Sequence, residues 1–189
     1  MVHIAEPGEP RAPRALLQRE PAVGFAQPFE MLQACHERVH RMLRLLTLLA
    51  GHLESHGVDA GAVGAARDVM RYFDIAAPAH HEDEERHVIP WLAAHGRAAL
   101  AQRLVREHRR MESEWQAIRR DLARIAAGVW HAGHAPGQRQ RWEAFATLYE
   151  RHIVAEERQA YPLVQAHGSA EALRRMGDEM AARRGLPQP

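Results

Sequence analysis

HHEDEERHVIP occupies residues 80–90, and HIVAEERQAYP occupies residues 152–162. Each segment contains a histidine, a pair of glutamates and a proline at the same places, and the second begins 72 residues (152 − 80) after the first. Both continue to an Ala-His-Gly triplet, which ends at Gly96 in one copy and at Gly168 in the other. One unit has therefore been laid down twice, with histidines and carboxylates at matching positions.

A further pair of histidines keeps the same spacing upstream, since His36 precedes His108 by 72 residues (108 − 36). On a helix, residues four apart share a face, so His80 and Glu84 point the same way, as does the equivalent pair of the second copy. Imidazole together with carboxylate suits iron, manganese or zinc and disfavours calcium or magnesium. The pattern predicts two metal ions bridged by the two carboxylates. The predicted ligands are His36, His80, Glu84, His108, His152 and Glu156.

The two copies are not identical, and their differences bear on the predicted centre. His81 has Ile153 as its counterpart, and His40 has Glu112. The first half thus carries additional histidine, which predicts two inequivalent metals. An extra ligand would fill the shell of one metal and leave a vacancy at the other, as dioxygen chemistry requires.

Outside these motifs the chain predicts helices and no strands, because apolar residues recur at steps of three and four. Four long amphipathic helices with short connections favour an all-α, up-down-up-down four-helix bundle with a pseudo-two-fold internal repeat. Asp59 and Ser169 are predicted helix caps, and Gly128–Gly137 a loop broken by Pro136 and Gly137. The predicted segments are an extended or disordered N-terminal arm (1–27), the bundle (28–168) and a short C-terminal helix with a tail (169–189).

Composition excludes several classes of protein. A length of 189 residues suits one domain, and 25 basic against 24 acidic residues give no basic footprint for nucleic acid. Cys35 is the single cysteine, so no internal disulfide and no cysteine-based zinc or iron–sulfur site is expected. The sequence shows neither a signal peptide nor a membrane-spanning run, and we expect a cytoplasmic protein with no membrane partner.

The doubled motif, with a histidine upstream of each copy, resembles the hemerythrin family in its bacterial, HHE cation-binding branch, over residues 29–168. The resemblance implies a non-haem di-iron centre (Fe²⁺/Fe³⁺) with an oxo or hydroxo bridge, held by five histidines and two bridging carboxylates. It assigns the six predicted ligands directly. Invertebrate hemerythrins take the fifth histidine from an HxxxH pair on the third helix, where this chain has Glu112. His81 is therefore the candidate, and His40 the alternative.

The resemblance also implies a function, namely reversible binding of dioxygen for storage, delivery or sensing. The expected partner is dioxygen or another small diatomic or peroxide ligand. Two alternatives stay open: a di-iron enzyme or stress protein acting on peroxide, nitric oxide or oxygen, and an iron- or oxygen-responsive regulator. No residue stands out as a catalytic acid, although Glu112 and His40 are candidates. Glu85 and Glu157 are expected to pair with arginines on the helix surface.

Overall fold

The computed structural model describes residues 24–185, and within this range the chain is helical and has no strand. Two five-residue π-helical turns, Tyr72–Ala76 and Glu156–Ala160, each continue one α-helix directly into the next. The predicted arm lies outside the described residues except for its last four. The helices are α1 Pro28–His56, α2 Ala60–Arg71, α3 Ala77–Ala94, α4 Ala98–Ala126, α5 Ala135–Ala155, α6 Tyr161–His167 and α7 Ala170–Arg183.

Both predicted helix caps are confirmed. The Asp59 carboxylate accepts a hydrogen bond from the backbone N–H of Ala62 at the start of α2. The Ser169 hydroxyl accepts one from the N–H of Ala172 at the start of α7. Each cap satisfies a donor that the first turn of a helix leaves without a partner.

The predicted loop between α4 and α5 is too long. A single 3₁₀ turn, Ala132–His134, leads directly into α5, so Pro136 and Gly137 lie in the first turn of that helix. Proline is tolerated there because the N–H that it lacks would have no partner within the helix. The indole N–H of Trp130 donates to Gln138, which attaches the connection to α5.

The helices form a bundle in which α4 lies against α2, α3 and α5, while α1 lies against α2, α5 and α7. The up-down-up-down order and the pseudo-two-fold repeat stay predictions. In the described part of the chain, no helix has the length and apolar character needed to cross a bilayer.

Two apolar clusters fill the bundle, and buried polar side chains lie between them. His36 shows the arrangement on α1, since Leu32 belongs to one apolar cluster and Val39 to the other. On α4, His108 lies in the same way between Leu104 and Met111. Each histidine is at most 3% exposed and therefore needs a partner inside the protein.

The C-terminal helix α7 is tied to α3 beside the motif. Asp83, which precedes Glu84, is fully buried and binds the guanidinium groups of Arg183 and Arg184. Met176, also on α7, belongs to the apolar cluster that contains Leu32 and Leu104. A buried carboxylate with two arginine partners is satisfied, so α7 holds this part of α3 in place.

Candidate metal centre

The structure brings the seven predicted ligand residues together in the middle of the bundle. They form overlapping groups in which the candidate ligand atoms lie within 4.8 Å of one another. Two groups share both glutamates, and the third adds His81. The groups are His36, His80, Glu84 and Glu156; Glu84, His108, His152 and Glu156; and His81, His108 and His152.

Glu156 lies between two sets of histidines, His36 with His80 on one side and His108 with His152 on the other. Its Oε1 lies 2.7 Å from Nε2 of His152, and its Oε2 lies 3.2 Å from Nε2 of His36. One carboxylate thus offers one oxygen to each of two positions.

Glu84 does the same from the opposite helix. Its Oε2 lies 3.4 Å from Nε2 of His108, and its Oε1 lies 3.5 Å from Nε2 of His80. The two glutamates therefore have the arrangement expected of carboxylates that bridge a pair of ions.

Three of the histidines are oriented by carboxylates behind them. In each case Nδ1 lies 2.9 Å from a glutamate oxygen, so that Nδ1–H donates outwards and Nε2 faces the centre. Carboxylate partners of this kind fix the tautomer and the ring orientation of metal-binding histidines. The pairs are His36 with Glu157, His108 with Glu85, and His152 with Glu107.

The prediction that Glu85 and Glu157 pair with surface arginines is wrong. Both are half-exposed, but their oxygens accept hydrogen bonds from His108 and His36. Each of them follows a predicted ligand glutamate by one residue, which places it at the edge of the core and within reach of the histidine on the neighbouring helix.

The inward-facing atoms fit a cation. Nε2 of His108 lies 3.0 Å from Nε2 of His152, a separation at which two nitrogen lone pairs repel unless a proton or a metal ion lies near both. Within residues 24–185, Oε2 of Glu84 and both carboxylate oxygens of Glu156 are buried without a hydrogen bond. Ligands that bind one ion at about 2.1 Å and at right angles lie about 3 Å apart, close to the separations found here.

The pKa values of His108, His152 and Glu84 are all raised, so each of these groups binds a proton more tightly than usual. Burial alone lowers the pKa of His108, but the nearby carboxylates of Glu156, Glu84 and Glu85 outweigh it and raise this pKa to about 11. Burial also lowers the pKa of His152, but the negative charge of Glu156 outweighs burial and raises this pKa to about 9. Burial, followed by repulsion from Glu156, raises the pKa of Glu84 to about 7.

His81 lies on the open side of this centre. Its ring stacks on that of His108, with 4.0 Å between centroids and 9° between planes. Burial lowers its pKa well below the usual value, which keeps the imidazole neutral and able to bind a metal. Its repeat counterpart, Ile153, lies in the apolar core.

His40 and Glu112, the other two candidates, do not join the groups that could hold a metal. His40 is exposed on the outer face of α1. Glu112 is also exposed, but it lines a cleft that leads to the centre.

This cleft has a volume of about 490 Å³ and reaches His81 and His108 from the surface. Phe73, Trp115 and Tyr149 form its aromatic wall. The cleft therefore opens towards the side of the centre that contains His81 and His108.

The sequence did not single out two residues that the structure places at the centre. Glu107 orients His152, and the Tyr161 hydroxyl donates to Oε1 of Glu84. Tyr161 immediately precedes the repeated proline, where the first copy has Ile89. That departure from the repeat is the sequence feature that could have identified it.

Fold and site together define a helical protein whose buried histidines and carboxylates could hold metal ions. Residues 27–164 match the hemerythrin HHE cation binding domain, and the chain belongs to that family. It is also 30% identical over 175 residues to a protein of Haemophilus influenzae that is described as uncharacterized. That alignment covers 92% of this chain and 99% of the relative.

Proposed function

We propose that this protein is a four-helix, up-down-up-down bundle that holds two iron ions and binds dioxygen reversibly. The observation that carries the proposal is the pair of shared carboxylates. Glu84 and Glu156 each present one oxygen to His36 or His80 and the other to His108 or His152. Both carboxylates would therefore bridge two ions held side by side.

The residues proposed to hold the first ion are His36 and His80, and those for the second are His81, His108 and His152, with Glu84 and Glu156 shared. Iron in such a centre would supply reversible redox chemistry towards dioxygen, with one electron available from each of the two ions. The chain orients the imidazoles through Glu85, Glu107 and Glu157, and its two apolar clusters limit the access of water.

The cleft supports a ligand-binding role at one ion. It reaches His81 and His108, whereas the residues that line it do not include His36 or His80. A small ligand would therefore meet the second ion first. This inequivalence suits reversible binding at a single metal.

The test is metal analysis combined with optical spectroscopy. Protein loaded with Fe²⁺ without oxygen should hold two irons per chain, develop a visible band in oxygen, and lose that band when oxygen is removed. A content of one ion or none would contradict the paired centre. Rapid irreversible oxidation with no adduct would contradict reversible binding.

One observation favours a second candidate, an enzyme acting on peroxide or nitric oxide. The cleft is larger than a diatomic ligand needs, and the carboxylates of Glu85 and Glu112 line it. A carboxylate near the reacting ligand could relay a proton. Steady-state turnover with peroxide or nitric oxide, reduced at least tenfold by Glu112→Gln at unchanged iron content, would favour the enzyme.

A further inference from the structure

A tyrosine lies beside the half of the centre that faces away from the cleft. Tyr161 is 1% exposed, and its hydroxyl hydrogen-bonds to Oε1 of Glu84. The hydroxyl oxygen of Tyr161 also lies 3.2 Å from Nε2 of His36. The phenol ring of Tyr161 is stacked on the ring of His36, with 5.5 Å between the centroids and 8° between the planes. The phenol oxygen therefore borders two proposed ligands of the first ion.

A local change in the helix puts Tyr161 there. The backbone N–H of Tyr161 donates to the carbonyl of Glu156, five residues earlier, which closes the π turn Glu156–Ala160. In an α-helix, two side chains five residues apart point about 140° away from each other. The wider turn accommodates one more residue and brings Tyr161 towards the face of Glu156.

The first copy of the repeat shows what happens without this turn. Residues 84–88 are ordinary α-helix within α3, and Ile89 follows Glu84 by the same five residues. Ile89 packs in an apolar cluster, and its hydrocarbon side chain has no atom that could bind a metal. The π turn and the tyrosine thus occur together, in the second copy. Single π turns inside helices are frequent at functional sites.

The hydrogen-bond partners of His36 and Tyr161 favour a cation near the phenol oxygen. Nδ1 of His36 bonds to Glu157, so Nε2 presents its lone pair to the centre. The single proton of Tyr161 is directed to Glu84. The tyrosine oxygen is 3.2 Å from Nε2 of His36, the same separation as Oε2 of Glu156 from that nitrogen. Neighbouring ligands of one ion have about this spacing.

We propose that Tyr161 is an oxygen ligand of the ion held by His36 and His80. This inference rests on the proposed metal centre and adds a residue to it. When a ferric ion binds, the O–H bond of Tyr161 breaks, its proton leaves to solvent and an oxygen–metal bond forms, with no change in electron count. His81 then serves the open half and Tyr161 the closed half.

The chain is suited to the test because it has three tyrosines, Tyr72, Tyr149 and Tyr161. Wild-type protein, Tyr161→Phe and the control Tyr72→Phe are loaded with iron and oxidised to the ferric state. Tyr72 is a matched control, since its hydroxyl donates to the backbone carbonyl of Cys35 and not to a proposed ligand. Iron content, visible absorption and resonance Raman spectra are measured on the same samples.

We expect a tyrosinate-to-iron charge-transfer band in wild type and in Tyr72→Phe, and its complete loss in Tyr161→Phe. Ring-deuterated tyrosine should shift the Raman lines of wild type, a measurement that needs no variant to fold. Ferric protein that contains iron but shows no tyrosinate band would overturn the inference and leave the proposed centre intact. Failure of wild type to bind iron would overturn both.

Discussion

At the level of the residue, His80 differs from the other three buried histidines of the repeated motif, because no carboxylate in the described part of the chain lies behind its ring. Within residues 24–185 its Nδ1 has no hydrogen-bond partner, whereas Nδ1 of its counterpart His152 bonds to Glu107. Moving back by the repeat (107 − 72) from Glu107 reaches Cys35, a buried thiol in place of a carboxylate. By the sequence repeat, the position equivalent to Glu107 thus holds no carboxylate that could accept a hydrogen bond from His80.

The outer carboxylates should control metal affinity. Glu85→Ala removes the acceptor that orients His108, so the affinity for metal should fall by about 10–100-fold. Glu82→Ala is the matched control, because Glu82 is on the same helix and pairs with Arg86 at the surface. Titration with a divalent metal in the presence of a competing chelator measures both. Equal affinities in the two variants would contradict the orienting role of Glu85.

Metal binding should release protons from the histidines. The pKa of His108 is raised to about 11 and that of His152 to about 9 in the metal-free protein, so both rings carry an extra proton at neutral pH. A metal must displace these protons, and the apparent affinity should therefore rise between about pH 7 and pH 9. Ordinary histidines have already lost the proton above about pH 6.5, so an affinity that is flat over this range would contradict the raised pKa values.

At the level of the element, the helices and the ligand spacing could be predicted from sequence because both depend on local rules. Asp59 and Ser169 cap helices by side-chain chemistry that neighbouring residues reveal. The i, i+4 pairs fall on one face by helix geometry alone. The pairing of Glu85 with His108 depends on the distance between two helices, which the sequence of one helix does not reveal.

The π turns could not be predicted for a related reason. Each one ends shortly before a proline, Pro78 or Pro162, which cannot donate a helical hydrogen bond. Pro90, the repeat counterpart of Pro162, lies inside α3 without such a turn. Proline is therefore not sufficient to predict where a helix widens. The placement of Tyr161, which follows such a turn, could not be predicted either.

The approach of α7 to the N-terminal segment gives a test of element packing. A Cβ on Gly177 would lie 2.0 Å from the carbonyl oxygen of Phe25, so Gly177→Ala forces a backbone shift and should destabilise the protein by about 1–3 kcal/mol. Gly64→Ala on α2 meets nothing within 4 Å and should stabilise it by about 0.5–1 kcal/mol. Urea denaturation measures both. Equal signs for the two changes would contradict the close contact of α7 with Phe25.

At the level of the whole molecule, the centre joins helices that are far apart in sequence. Its residues come from α1, α3, α4 and α5, and the π turn contributes Glu156. Without a metal, two buried carboxylates face several imidazoles, and protons supply the balancing charge. A metal would replace those protons and connect these four helices and the π turn at one point. Metal occupancy should therefore stabilise the entire bundle and not one helix.

Removal of the metal should accordingly lower global stability. An ion present at 100 times its dissociation constant stabilises the folded state by about 2.7 kcal/mol per site, so a chelator should lower the urea midpoint without splitting the transition. The loss should grow above neutral pH. The raised pKa values of His108 and His152 stabilise the metal-free fold fully below about pH 6.5, and this contribution disappears as pH rises through about 9 to 11.

Two variants make this prediction specific to the centre. His40→Ala removes an exposed histidine outside the centre and should retain the full stabilisation by metal. His108→Ala removes a histidine that lies within 3.4 Å of Glu84 and 3.0 Å of His152, and should lose most of it. An equal response to chelator in both variants would place the metal elsewhere. A response confined to part of the helical signal would show that the centre does not couple the four helices.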